Sequence, residues 1–290
     1  MTALTETASA KINLTLEVVG LRRDGYHEIR SVVAFAELCD EVELEPGEGL
    51  DLSVEGPFAG LLDGGNLILE AAEAARKMHS DVVLGRFRLR KTLPVAAGLG
   101  GGSADAAAAL RLLAVANPDT LDRRSLREIA AELGTDVTVC LDSRPAMVRG
   151  RGDVLRGYRG LPACGVVLVN PGFPLLTADV YAAVKAGSAL SHFQSDGENL
   201  NFEGSLDRLV AYMKTKPNDL EPVALGLAPG IKEVLDALNE IEGVRAVRLS
   251  GSGPTCFALF PSFYEAKRAG ALLQANFPLW WIAATSLRPR

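Results

Sequence analysis

The stretch Pro94-Val95-Ala96-Ala97-Gly98-Leu99-Gly100-Gly101-Gly102-Ser103-Ala104 holds the residues best suited to chemistry in this chain of 290. Four glycines in the five positions from Gly98 to Gly102 free the backbone for positive φ and let a ligand come close to the amides. Ser103 is placed to cap a helix, and the alanine run from Ala104 to Ala109 that follows, interrupted only by Asp105, favours helix strongly. A row of N–H groups at the positive end of a helix is an anion site, and the expected ligand is a nucleotide triphosphate. No Gly-Lys-Ser/Thr follows, which excludes a Walker A loop. No βαβ unit with an acidic residue about 20 positions on supports a dinucleotide fingerprint either.

Two other stretches carry reactive groups. Ala10, Ile12, Leu14, Leu16 and Val18 alternate with Lys11, Asn13, Thr15 and Glu17, a half-buried strand by its period of two. Lys11 and Asn13 then share one face, which periodicity alone makes a solvent-facing side. The strand runs into Gly20-Leu21-Arg22-Arg23-Asp24-Gly25-Tyr26-His27, a turn with an aromatic ring beside an imidazole. Asp136 lies just past Gly134 and beside an apolar run, where it is either the cap of the next segment or a held functional carboxylate.

The elements that position these groups follow from pattern. Residues 29–45 read as two strands, with Pro46-Gly47-Glu48-Gly49 turning into a third near 50–54. Asn66 caps a helix to Met78, with His79 suiting its negative end. Residues 86–91 form a strand leading through Pro94 into the glycine loop. Ser125-Leu126-Arg127-Glu128 reads as a capping box opening a helix that stops at Gly134. A strand near 146–149 closes the first half, and residues 157–162 are the candidate domain boundary. Beyond it, a buried strand at 166–169 precedes helices near 178–186, 204–213 and 230–240. Strands at 244–249 and 255–260, a helix at 263–275 and a strand at 279–284 complete an α+β arrangement. Trp280 and Trp281 adjoin in that last strand, one expected to face the core and the other the surface or an interface.

Composition sets limits on function. A hydrophobic fraction of 48% with 23% charged residues is that of a soluble globular protein. A net charge of −6 argues against a general nucleic-acid binder, and Arg22-Arg23 and Arg149-x-Arg151 read as solvated surface charge. No apolar run reaches the roughly 20 residues that span a bilayer, and no secretory signal is expected at the N-terminus. Cys39, Cys140, Cys164 and Cys256 show no metal spacing and read as buried free thiols in a reducing cytoplasm.

Three of these stretches together resemble the GHMP kinases, the family of galacto-, homoserine, mevalonate and phosphomevalonate kinases. They are the Lys11 strand, the loop at 94–103, and Leu249-Ser250-Gly251-Ser252-Gly253, in family order along the whole chain. Four further motifs are similar to the branch whose substrate is a cytidine diphosphate-linked methylerythritol. They are Ala10-Lys11-Ile12-Asn13-Leu14, Asp24-Gly25-Tyr26-His27-Glu28, Leu133-Gly134-Thr135-Asp136-Val137 and Asn218-Asp219-Leu220-Glu221. The resemblance implies an α+β, two-domain fold: a ribosomal-protein-S5-like N-terminal domain over 1–160 and a ferredoxin-like C-terminal domain over 161–290. It implies a cytoplasmic monomer or homodimer that uses ATP and Mg2+ to phosphorylate the 2-hydroxyl of the erythritol part, on a route to isoprenoids. The sequence does not show which group ligates Mg2+: Ser103 is a candidate, and no carboxylate is clearly marked.

By the same resemblance, Asp136 is the general base, Lys11 holds it and offsets charge, and Asn13 bonds the substrate. Tyr26 stacks on the cytosine, His27 meets the base edge, Thr177 contacts substrate, and Tyr181 stands where the family has a second stacking ring, usually Phe. The loop from Pro94 to Ala104 cradles the ATP phosphates. Three positions depart from the family: Ala97 for a frequent Gly, Thr138 for a Pro, and Asp153 for a Glu. They raise the expectation of strain at Ala97 and of a looser segment around Asp136. A homoserine- or mevalonate-type kinase has no need of the Tyr26-His27 pair, and a non-catalytic nucleotide sensor has no need of both Lys11 and Asp136.

Overall fold

The computed structural model describes residues 2–62, 64–184 and 200–289. They form two compact units interleaved along the chain. Among the described residues, the first takes residues up to 10, 38–95 and 100–143, and the second takes 11–37, 96–99 and everything from 144 on.

In the first unit, strand β1 (Leu4–Leu21) begins and strand β2 (His27–Gly47) ends. Residues Glu41 to Gly47 of β2 pair antiparallel with the strand Leu84–Arg90 (β4), which takes Leu50–Glu55 (β3) in parallel on its other edge. Four helices accompany these strands: α1 (Leu67–Met78), α2 (Gly101–Ala116), α3 (Arg123–Leu133) and α4 (Thr135–Asp142). The Asn66 carboxamide oxygen accepts from the Ile68 N–H at 2.9 Å, as the sequence predicts for the cap of α1. Helix α2 buries every residue from Ala104 to Leu110, and its alanines let α1 and α4 pack close against it.

In the second unit, Ile29 to Val33 of β2 pair antiparallel with β5 (Ala146–Gly150), which pairs with β6 (Val154–Gly157). The end of this unit contains β7 (Gly165–Asn170), β8 (Ala246–Leu249), β9 (Cys256–Phe260) and β10 (Trp281–Arg288), laid side by side in the order β10-β7-β9-β8. Every one of their pairings is antiparallel. Helices α8 (Gly230–Asn239) and α9 (Phe263–Asn276) connect these strands and share their core, giving the ferredoxin-like βαββαβ order. Ahead of α8 lie α5 (Thr177–Ala183), α6 (Leu206–Thr215) and α7 (Glu221–Leu227).

Several local expectations are corrected. Residues 29–45 are one continuous strand within the 21-residue β2, because no glycine or proline interrupts them before Pro46. Asp122, not Ser125, caps α3: its carboxylate accepts from the Ser125 N–H at 2.8 Å, one turn earlier than the predicted box. Asp136 is not the cap of the next segment. The apolar run around it is helix α4, with Gly134 at the cap and Asp136 in the first turn. Helix α7, only seven residues with Pro222 inside, escaped prediction. Trp280 precedes β10 and stacks on Phe277 at 3.9 Å, and both tryptophans are half-buried. The cysteines are free thiols, and Cys39 is half-buried rather than buried. The predicted end of the 178–186 helix lies outside the described residues.

Candidate active site

The polar side of β1 is not solvated. Lys11 is 6% exposed and Asn13 4%, since β1 is covered on both faces from Ala8 to Val18. A buried ammonium or amide demands partners. The Lys11 ammonium donates to Asn13 Oδ1 at 3.1 Å, and Asn13 Nδ2 donates to the Ser31 hydroxyl at 2.8 Å. Ser31 in turn donates to the Thr15 carbonyl at 2.6 Å, and the Thr15 hydroxyl accepts from the Val32 N–H at 3.1 Å. The two residues thus sit in a fixed polar seam within the second unit.

The first part of the glycine loop joins that seam. The Lys11 N–H donates to the Leu99 carbonyl at 2.8 Å, and the Thr255 N–H to the Ala97 carbonyl at 3.2 Å. Ser250 accepts from the Asn13 N–H at 3.3 Å and donates its own proton to the Gly98 carbonyl at 2.9 Å. Gly98 has φ +72° and a Cβ there would lie 2.4 Å from the Ser250 carbonyl oxygen, so only glycine fits. Ala97 is not strained. The left-handed residue is its neighbour Ala96, at φ +50°.

The Asn218-Asp219-Leu220-Glu221 motif is the scaffold under this arrangement. Asn218 Nδ2 donates to the carbonyls of Leu249 and Gly251, at 3.0 and 2.8 Å. Asp219 accepts from the Val18 N–H at 2.7 Å, and Glu221 accepts from the Leu249 N–H at 2.9 Å. Arg248 adds a further tie, donating to the carbonyls of Leu14, Lys216 and Met213 at 2.8 to 3.0 Å. Sequence reading passed over Arg248, Ser250 and Ser252 as functional positions, although the Ser-Gly-Ser-Gly run was their visible signal.

The aromatic residues are in this same unit. Tyr26 is exposed on the turn between β1 and β2, where its N–H donates to Asp24 Oδ1 at 3.2 Å. The Arg151 guanidinium stands over its ring, 5.0 Å from the centroid. Asp153 accepts from the Arg151 N–H at 2.9 Å, so the shorter acid at this departure still orders the turn. The His27 ring meets Tyr181 at 5.3 Å between centroids, tilted by 37°. Thr177, the first residue of α5, shares a 2.8 Å hydroxyl contact with Ser252. Arg22 is not merely solvated, since it bonds Asp24 and Glu28 within the turn.

In the first unit, Gly100 caps α2 in the left-handed conformation, at φ +63° and ψ 23°. Ser103 is therefore the third residue of the helix and not its cap, because Gly100 can turn the chain where a side chain could not. The N–H groups of Gly101, Gly102 and Ser103 are left without intrahelical acceptors, which is the donor row an anion needs. Lys91 lies behind that end of the helix, 2% exposed, with its ammonium on Asp40 at 2.6 Å and Asp105 at 2.5 Å. Burial pulls Lys91 down, but the two carboxylates outweigh it and hold the ammonium above its ordinary range. Asp136 is half-buried in the first turn of α4. Thr138 does not loosen that turn: its N–H donates to the Gly134 carbonyl at 3.3 Å, a bond proline lacks.

The structure thus gathers Lys11, Asn13, Tyr26, His27, Thr177 and Tyr181 in one unit, and Gly100 to Ala104 with Asp136 in the other. A family model described as GHMP kinases N terminal domain matches residues 66–144, and one described as GHMP kinases C terminal matches 198–279. A 4-diphosphocytidyl-2-C-methyl-D-erythritol kinase of a Bradyrhizobium species is 44% identical, over 98% of this chain and 96% of its own. The chain belongs to the GHMP kinase family. The kinase of the same name from Methylorubrum extorquens is 46% identical, over 99% of this chain and 100% of its own. Among solved structures, a 4-(cytidine 5'-diphospho)-2C-methyl-D-erythritol kinase superposes with a TM-score of 0.80 at 34% identity, covering 98% and 99% of the two chains. An L. major mevalonate kinase reaches 0.73 at 18% identity over 99% and 97%, a likeness of fold alone. Within this GHMP kinase, the two-domain mixed α and β fold is the one expected from the sequence.

Proposed function

We propose that this chain transfers the γ-phosphoryl group of ATP to the 2-hydroxyl of 4-diphosphocytidyl-2-C-methyl-D-erythritol. The observation that carries the reading is the aromatic turn: Tyr26 exposed, His27 against Tyr181, and Thr177 on Ser252, in the unit that buries Lys11 and Asn13. A flat base is recognised by stacking and edge contacts, which a small aliphatic acid or alcohol does not require. Full-length relatives at 44% and 46% identity bear the name of this kinase, while the homoserine- and mevalonate-type likenesses fall below 25%.

Each residue has a role set by its chemistry. The N–H groups at the start of α2, with Pro94 to Leu99 leading in, hold the ATP phosphates. Asp136 takes the proton of the attacking hydroxyl. Lys11 offsets the charge that develops on the acceptor oxygen, and Asn13 bonds the polyol. Tyr26 and Tyr181 stack on the cytosine, His27 reads its edge, and Thr177 contacts the substrate. Phosphoryl transfer asks mainly for positioning and charge stabilisation, and a backbone locked by Ser250, Asn218 and Arg248 supplies a rigid frame. Among the described residues no three acidic, cysteine or imidazole groups gather to hold a metal ion, so no protein ligand is assigned to Mg2+. Mg2+ binds readily through substrate phosphates.

We assign residues 1–160 and 161–290 as the two family domains, a division consistent with matches at 66–144 and 198–279. No helix among the described residues is long and apolar enough to cross a membrane. We read the protein as a cytoplasmic monomer or homodimer. A phosphorylation assay with Mg-ATP and the cytidine diphosphate-linked methylerythritol tests the function, with homoserine and mevalonate as controls. Product from the cytidine compound alone is expected, and turnover of either control instead would overturn the reading.

A further inference from the structure

The cluster of Lys91, Asp40 and Asp105 is not used by the mechanism above, yet it lies against the first residue of α2. A Cβ on Gly101 would lie 3.1 Å from Lys91 Nζ and 3.8 Å from Asp40 Oδ2. The two carboxylates are not equivalent. Asp40 accepts from the N–H groups of Thr92 and Leu93, at 2.5 and 2.8 Å, as well as from Lys91. Among the described residues the one donor to Asp105 is Lys91, its second oxygen is buried with no hydrogen-bond partner, and its carboxyl lies within hydrogen-bond reach of Asp40. Two carboxylates share one ammonium, so the cluster carries a surplus negative charge when both are ionised.

We propose that Asp105 is a positioning residue for the nucleotide loop, taking a proton from solvent when phosphate docks on the amides of α2 and thereby removing that surplus charge. The inference rests on the reading of this loop as the ATP phosphate site. Of the two acids, Asp105 is the one whose carboxylate has an oxygen that no donor satisfies, and its carboxyl proton can be shared with Asp40, whereas both oxygens of Asp40 already accept, from Lys91, Thr92 and Leu93. An arriving phosphate adds negative charge near the cluster and disfavours the ionised form further. Burial already lifts the Asp105 carboxyl, Lys91 opposes and Asp40 adds, leaving it at about 7, so the proton is available near neutral pH. The charged groups facing Asp105 are Lys91, just beyond β4, and Asp40, from β2. Helices α1, α3 and α4, which pack against α2, bury apolar side chains and the Cys140 thiol.

The test is titration calorimetry of Mg-ATP into the full chain, without acceptor, in buffers of different ionisation heat, for wild type and Asp105→Asn. Wild type is expected to take up more protons than the variant, and its Kd to weaken roughly three- to fivefold more than the variant's between pH 6 and 8, a pKa rise of up to about one unit. Using the variant as reference removes the titration of ATP itself. Equal proton uptake with parallel Kd profiles overturns the proposal. If Asp105→Asn does not fold, the infrared difference spectrum of wild type with and without Mg-ATP at pH 7.5 decides instead. A new protonated-carboxyl band supports the proposal, and its absence overturns it. A Gly102→Val chain separates the two readings, because the neighbour of a Cβ there is Leu67, at 3.7 Å, and a helical Cβ tilts toward the N-terminal end where the amides lie. Undiminished ATP binding by Gly102→Val removes the phosphate site from the loop and this proposal with it. Binding that depends on Gly102, with parallel pH profiles, overturns the proton linkage alone.

Discussion

The Asn13 backbone N–H donates to the Ser250 hydroxyl, 237 residues away in the chain, and Ser250 passes its own proton on to the carbonyl of Gly98. One serine thereby ties β1, the glycine loop and the turn after β8. The backbone at β1 and at the start of the loop is fixed by these bonds, while the Lys11 ammonium and the Asn13 carboxamide are ordered by each other and by Ser31.

Asp136→Asn should bind ATP within about twofold of wild type and lose roughly 100-fold or more in kcat, the usual worth of a positioned general base. ATP binding by calorimetry beside a coupled turnover assay checks both halves. Near-normal turnover would remove Asp136 from the reaction.

Tyr26→Ala should raise KM for the cytidine substrate by about tenfold while leaving KM for ATP unchanged, since the ring is exposed, with Arg151 over its face. Steady-state kinetics with each substrate varied in turn gives the answer. Equal weakening of both ligands would argue against stacking.

Ala96 and Gly98 should respond in opposite directions. Ala96 is exposed with φ +50°, so Ala96→Gly relieves strain and should stabilise the fold by up to about 1 kcal/mol. Gly98→Ala places a Cβ against the Ser250 carbonyl and should destabilise by at least a similar amount. Urea unfolding of both variants measures the pair.

The stability of Asp105→Asn should depend on pH in a defined sense. In the folded chain this carboxyl is raised from 3.8 to about 7, chiefly by burial, so the folded state resists ionising it. As pH rises between those values the unfolded chain loses its proton first, and wild-type stability falls. Asparagine keeps an oxygen for Lys91 without the charge. The variant is expected to gain in Tm over wild type at pH 8 and to gain less, or nothing, at pH 4. An equal difference at both values would show that Asp105 does not titrate in this window.

Much of the fold was legible because its signals are local. Asn66 capping α1, the stop at Gly134, and the buried runs of β7 and β9 all depend on a few adjacent residues. The errors share a cause as well. Ser103 and Ser125 looked like caps, but Gly100 and Asp122 lay earlier and took the turn, and local pattern cannot rank two candidates that are both chemically sound. Asp136 likewise offered a cap, but Gly134 lay two residues earlier and Asp136 falls in the first turn of α4.

The amino-acid sequence by itself determined the residue types and order that make this chain a GHMP kinase: a lysine strand, a glycine loop before an alanine-rich helix, an aromatic turn and a late serine-glycine turn. These are short motifs whose chemistry is carried by neighbours in the chain. Only the tertiary structure decided that Lys11 and Asn13 are buried, because a period of two cannot say whether the polar face of a strand is covered. Only it set Ser250 on Asn13 and Gly98, and Asp105 beside Lys91 with an oxygen left unpaired. Contacts between residues tens or hundreds of positions apart leave no periodic trace, and they are where a buried charge finds its partner or lacks one.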